Sequence, residues 1–236
     1  MPLRHKLRTI ASHTLVPDIL PANPIVVDAG ANVGAFAIAM AEEFHGRCFA
    51  IEPSPQVFEQ IPAGTYLNKY RVALAGASGE VDLHIGGNSE ATSMHKAICE
   101  TYLTTIRTPA FTLEEFCRSV KINRIDLLKM DIEGEELAVL NSCSEDFLKQ
   151  IGQITVEFHE WMGQGSAADV RRIIKRLRKL GFWAFNVGRT TYFDVLFVNR
   201  RNMSPTSFTI SWMNLWTPRV IGSFFRRFVA RRGNQT

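Results

Sequence analysis

Ile25-Val26-Val27-Asp28-Ala29-Gly30-Ala31-Asn32-Val33-Gly34 decides how the rest of the chain is read. Three β-branched residues predict a buried strand, Asp28 ends it, and two glycines open a turn. Beyond the turn, Val33, Phe36, Ala37, Met40 and Phe44 recur at helical spacing. A strand, a glycine turn and a helix in that order form the entry to a nucleotide-type site. There, backbone N–H groups at Gly30 and Gly34 approach a ligand, and the helix N-terminus adds partial positive charge.

The dinucleotide fingerprint requires a third glycine in the middle of the turn, where the pyrophosphate comes close. Here that position is Asn32, and Asp28 would repel a pyrophosphate. An acid at the strand end suits a ligand that carries a cation, such as the ammonium of a methionine moiety. Asp28-x-Gly30-x-Asn32-x-Gly34 resembles motif I of S-adenosylmethionine (SAM) methyltransferases. The competing reading is a βα turn whose small residues serve packing only.

The 236 residues suffice for one α/β domain with a buried core. Cys48, Cys99, Cys117 and Cys143 are scattered without C-x-x-C spacing, so they read as thiols of a reducing compartment. No apolar run approaches a membrane span and no signal peptide is evident, which gives a cytoplasmic reading. The net charge of +4 is unevenly placed, with seven arginines and no acid from Arg200 onward. Basic arms therefore flank a slightly acidic middle.

Residues 1–23 read as a basic N-terminal segment, with a short basic helix over 4–15. Strands are expected at 25–28, 47–52, 70–74, 80–85, 125–131 and 154–159. Gly87-Asn88-Ser89 belongs to a polar loop after the fourth of these. Thr112 with Glu115 predicts a capping box, and Ser166 with Asp169 starts a helix whose apolar face is Val170, Ile173, Ile174, Leu177 and Leu180. Strands at 182–187 and 191–198 around Gly188-Arg189-Thr190 form a closing hairpin, a feature that dinucleotide-binding domains lack.

The core over roughly residues 24–200 resembles the FkbM-type SAM-dependent methyltransferases. The resemblance rests on motif I, Ala50-Ile51-Glu52-Pro53-Ser54-Pro55, the 72–74 segment, the Gly87-Asn88-Ser89 loop and Asp126-Leu127-Leu128-Lys129-Met130-Asp131-Ile132-Glu133-Gly134. It implies a Rossmann-like class I sandwich with a seven-stranded, mostly parallel sheet ending in an antiparallel hairpin. It also implies SAM as cofactor, and transfer of a methyl group to a hydroxyl of a sugar, polyketide or other secondary metabolite.

Ligands of such sheets sit outside the carboxyl ends of the strands. Asp28 is assigned to the methionine ammonium, partly through water, and Glu52 to the ribose diol. Gly30, Asn32 and Gly34 shape the methionine pocket, Ala73 belongs to the cofactor site, and Asp131 faces the methionine moiety or the acceptor. Competing readings are a surface salt bridge for Glu52 and a helix-dipole acid for Asp131. Lys129, in a strand buried on both faces, is expected to pair with a carboxylate. His159 is the preferred base, since imidazole titrates near neutral pH; a structural histidine is the alternative, and His84 and His95 are rivals. No metal triad is discernible. An Asn-Pro-Pro-Tyr-like motif for amino-group methylation is missing after Asp131.

Residues 201–236 form a basic, aromatic tail. Over 208–232 it suits a membrane surface, a helix packed on the core, or a homodimer contact. Nucleic acid is the weaker partner. Two other functions stand beside small-molecule O-methylation: an RNA 2′-O-methyltransferase, and a non-catalytic binding module with a degenerate pocket.

Overall fold

The computed structural model describes residues 7–86, 92–94, 102–160, 165–188 and 191–202. Its first element departs from the expected helix. Strands β1 (Arg8–Ile10) and β2 (His13–Leu15) pair antiparallel around Ala11 and Ser12, whose φ values of 42° and 69° make the tight turn. The β-branched Thr9, Ile10, Thr14 and Val16 favour extended backbone over a helix. The hairpin is tied to the core. Thr14 Oγ1 donates to Asp194 Oδ2 (2.5 Å), while Val16 and Gln153 exchange two hydrogen bonds of 2.9 and 3.0 Å.

The chain then alternates strands and helices: β3 (Ile25–Ala29), α1 (Ala35–Phe44), β4 (Arg47–Ile51), α2 (Pro55–Phe58) and β5 (Leu67–Tyr70). Next come β6 (Ala73–Leu74), β7 (Gly79–Gly86), β8 (Thr92–Ser93), β9 (Tyr102–Phe111), α3 (Leu113–Ser119) and β10 (Ile125–Met130). The last elements are α4 (Glu136–Ser142), α5 (Glu145–Leu148), β11 (Ile151–Val156), α6 (Ala167–Lys179), β12 (Phe182–Asn186) and β13 (Val195–Asn199).

Seven strands form one sheet in the order β12-β13-β11-β10-β3-β4-β5. Strands β5, β4, β3, β10 and β11 run parallel, and β13 is inserted antiparallel between β11 and β12. The architecture is that of a Rossmann-like class I methyltransferase sandwich. From β3 the chain proceeds outward through β4 and β5, whereas from β10 it proceeds the opposite way. The crevice at the carboxyl ends of β3 and β10 is thus the topological switch point.

Burial on both faces explains the apolar central strands. Val27, Leu128 and Met130 pack with Phe116, Leu140 and Ile173 on one side, while Val26, Ala50 and Leu127 meet Phe36, Ala37 and Met40 of α1 on the other. Helix α6 carries the expected Ser166–Asp169 capping box, and its buried Val170, Ile173 and Leu177 each contribute about 1.5–3 kcal/mol of apolar burial. Arg176, on its basic face, donates to Leu140 O and Cys143 O and so satisfies the carboxyl end of α4.

Three other expectations are corrected. The stretch 70–74 is split, because β6 leaves the main sheet to pair with β9 in a second sheet ordered β6-β9-β7-β8. At 112–115 only half of the capping box forms, since Ser78 takes over the Thr112 N–H and the Glu115 carboxylate. The strand expected at 154–159 ends at Val156, and Phe158 N–H instead meets Tyr192 O (3.0 Å). Cys48, Cys117 and Cys143 are buried free thiols, each pushed up to about 12 by burial. Among the described residues no helix is long and apolar enough to cross a membrane. The Gly87-Asn88-Ser89 loop, His95, Cys99 and the 208–232 tail lie outside the described residues.

Candidate active site

Beneath the crevice lies a buried ion pair, Lys129 Nζ to Asp28 Oδ1 at 3.2 Å. Burial would lower the lysine pKa, but Asp28 and Asp131 outweigh it and hold the ammonium charged. Lys129 also donates to the Gly30 carbonyl, and Asp28 Oδ2 accepts from Ala37 N–H (3.1 Å) in the first turn of α1. Gly34, the N-cap of that helix, has no side chain to do so. Lys129→Met would strand a buried carboxylate, so it is expected to cost about 3–5 kcal/mol in urea denaturation.

Above this pair opens a cavity of about 400 Å³. One end is lined by Gly30, Asn32, Ile51, Glu52, Pro53, Ala73 and Leu74. Gly30 (φ +73°) passes so close to β10 that a Cβ would stand 1.7 Å from Asp131 O. Asn32 is also left-handed (φ 49°), and its N–H donates to Glu52 Oε2 at 2.9 Å. Glu52 Oε1 accepts from Ser54 N–H, also at 2.9 Å. Burial pushes the Glu52 pKa up while those two N–H groups pull it down. The result is a rigidly held carboxylate at the rim of the second sheet strand.

The other end is lined by Ser12, His13, Asp131, Glu133, Glu157 and His159. His159 Nδ1–H donates to Glu136 Oε1 (2.9 Å), and the same oxygen accepts from Ile132 N–H (3.0 Å) and Gly134 N–H (3.2 Å). This fixes the imidazole with Nε2 toward the cavity, 3.4 Å from Glu133, 3.7 Å from Asp131 and 3.9 Å from Glu157. Burial opposes charge on His159, yet Glu136, Glu133 and Asp131 raise its pKa to about 9. Burial likewise raises Glu133 to about 7 against the pull of His159. Burial opposes ionisation of Asp131 too, but His13, Lys129 and His159 hold its carboxyl below the usual range.

Six of the eight residues singled out from sequence meet in this cavity: Gly30, Asn32, Glu52, Ala73, Asp131 and His159. Asp28 and Gly34 do not line it. Asp28 is fully buried, with its carboxylate on Lys129 and the first turn of α1. His84 lies on the second sheet, with Nδ1 2.8 Å from Thr105 Oγ1, and does not line the cavity either. The sequence reading missed His13 and Glu136. It also discerned no metal triad, whereas the fold gathers His13, Asp131 and Glu157, and again Asp131, Glu133 and His159, with ligand atoms within 4.8 Å of one another. The first set escapes a spacing search because His13 arrives on a separate hairpin.

The donor set fits SAM on geometric grounds. The buried Glu52 carboxylate at the cavity wall would hold a ribose diol, and the acids Asp131, Glu133 and Glu157 at the far end suit a cationic ligand. Residues 28–183 match the family model described as Methyltransferase FkbM domain. Methyltransferase sdnD of Sordaria araneosa is 27% identical over 180 residues, spanning 61% of this chain and 70% of that protein. The hexuronic acid methyltransferase AglP of Haloferax volcanii is 27% identical over 141 residues, spanning 57% of this chain and 56% of that protein. The fold is similar to the crystal structure of methyltransferase FkbM from Methylobacillus flagellatus (TM-score 0.53, 11% identity), covering 81% of this chain and 48%, about half, of that one. The chain belongs to the FkbM methyltransferase domain family, with SAM as its methyl donor.

Proposed function

We propose that the chain transfers a methyl group from SAM to a hydroxyl of a small molecule, with a sugar or another polyhydroxylated metabolite as acceptor. The observation that carries this reading is the two-ended cavity, with the fixed carboxylate of Glu52 at one end and the oriented imidazole of His159 at the other. The relative acting on a hexuronic acid supports an acceptor of the sugar class.

When bound, SAM supplies a methyl group already activated on a sulfonium. The work left to the protein is alignment, exclusion of water and removal of the acceptor proton. Glu52 would hold the ribose hydroxyls, Gly30 and Asn32 would shape the methionine pocket, and Ala73 and Leu74 would supply an apolar wall. Asp131 would meet the donor's positive charge. His159 takes the hydroxyl proton at Nε2, with Glu136 holding the ring. In the ligand-free protein this imidazole is protonated near neutral pH. A cation in the same cavity disfavours that charge and frees the nitrogen to act as base.

Titration calorimetry with S-adenosylhomocysteine tests the cofactor end. Wild type is expected to bind in the micromolar range and Glu52→Ala at least tenfold more weakly, the scale of a lost charge-assisted hydrogen bond. A well-folded wild type that does not bind overturns the reading.

A further inference from the structure

We infer that His13, Asp131 and Glu157 form a divalent-cation site at the acceptor end of the cavity, for an ion of the Mn²⁺ or Zn²⁺ type that holds an acceptor oxygen beside His159. This rests on the methyltransferase reading of the same cavity, with which the site shares Asp131, while His13 and Glu157 have no part in the cofactor end.

His13 is 98% buried by its 2% exposure, although it lies in an N-terminal hairpin, and its Nε2 points to Asp131 Oδ2 across 3.6 Å. That separation is too long for a hydrogen bond. It suits two ligands of one ion, since atoms each about 2.1 Å from a metal stand roughly 3 to 3.7 Å apart. The ring's other nitrogen, Nδ1, is buried without a hydrogen-bond partner. With its proton on Nδ1, the ring turns the Nε2 lone pair toward Asp131, the orientation a metal ligand requires. Glu157 completes the triad, its carboxylate half-buried and within 4.8 Å of the other two ligand atoms.

The charges point the same way. Asp131, Glu133, Glu136 and Glu157 converge on His159 and His13, while the charge of Lys129 is met by Asp28 behind the cavity wall. Lys129 stands 3.9 Å from Asp131 Oδ2, farther than from Asp28. One imidazole with two carboxylates is a donor set for a borderline divalent ion rather than for Ca²⁺. The hairpin that brings His13 is fastened by the Thr14–Asp194 and Val16–Gln153 bonds, so the ligand is delivered on rigid backbone.

The test is Mn²⁺ titration of the chelator-treated, full-length chain without SAM, read by the loss of free-Mn²⁺ electron paramagnetic resonance signal. S-adenosylhomocysteine calorimetry is run on the same samples. Wild type is expected to bind one Mn²⁺ saturably, and His13→Ala and Glu157→Gln each to weaken it at least tenfold while S-adenosylhomocysteine binding persists. Glu157→Gln, at a position less buried than His13, guards against misfolding of the His13 variant. Wild type that binds S-adenosylhomocysteine but neither Mn²⁺ nor, in competition, Zn²⁺ overturns the site, as does Mn²⁺ binding that both substitutions leave unchanged. Saturable Mn²⁺ binding lost in both variants, without S-adenosylhomocysteine binding by wild type, supports the site and removes the cofactor reading instead.

Discussion

Gly30→Ala is expected to abolish measurable S-adenosylhomocysteine binding and to lower stability by about 2–4 kcal/mol. Two costs combine. The residue sits at φ +73°, where a Cβ is strained, and that Cβ would lie 1.7 Å from Asp131 O and 2.7 Å from Asp131 C. Both are backbone atoms, so no rotamer change relieves the clash, and the turn must move away from the end of β10. Moving the turn also disturbs the Lys129 bond to the Gly30 carbonyl and the Ala31 and Gly30 N–H bonds to Ile51 O. A displacement of about 1 Å in such a turn suffices for a loss of order 10²-fold. Gly64→Ala is the control, because its nearest neighbour, Leu67 Cβ, is 3.7 Å away in ordinary contact. Calorimetry and thermal unfolding of both variants decide the matter. Micromolar binding by Gly30→Ala at an unchanged Tm would show that the turn does not approach β10 as described.

What could be read from the sequence follows a physical division. Local rules reached β3, β4 and β10, because strands buried on both faces need unbroken apolar runs, and they reached Gly30 and Glu52 because a turn and a strand end fix positions on their own. They also anticipated a buried partner for Lys129. They did not reach the direction in which Asp28 points. An acid at a strand end looks the same whether it meets a ligand or a lysine on the neighbouring strand, and only the register Lys129–Asp28 decides. Strand β9, between the Gly87-Asn88-Ser89 loop and the helix start at Thr112, carries no reading from sequence, because its ladder is made with β7 across the loop. Glu136 was one acid among several after Gly134, with nothing local to mark it as the buried one. His13 depended on a hairpin whose turn residues, Ala11 and Ser12, are not the usual left-handed ones.

Replacing the histidine that Glu136 holds should have the largest effect on turnover. His159→Ala is expected to reduce it by about 10²-fold or more, or about 2.7 kcal/mol of barrier, while S-adenosylhomocysteine binds as to wild type. The separation follows from geometry, because His159 lies at the opposite end of the cavity from Glu52 and Asn32. Glu136→Gln is the finer probe. Its amide oxygen still accepts from the Ile132 and Gly134 N–H groups, so the turn before α4 persists, but the charge behind the imidazole is gone. A drop of about tenfold in kcat at unchanged KM for SAM marks Glu136 as a positioning residue; a residue with a structural role alone would leave kcat per folded molecule untouched. Turnover unchanged in His159→Ala would move proton removal to the other imidazole beside Asp131. His13 stands on the opposite side of that carboxylate, 3.6 Å from Oδ2 where His159 is 3.7 Å from Oδ1. His13→Ala in the same assay would then carry the loss.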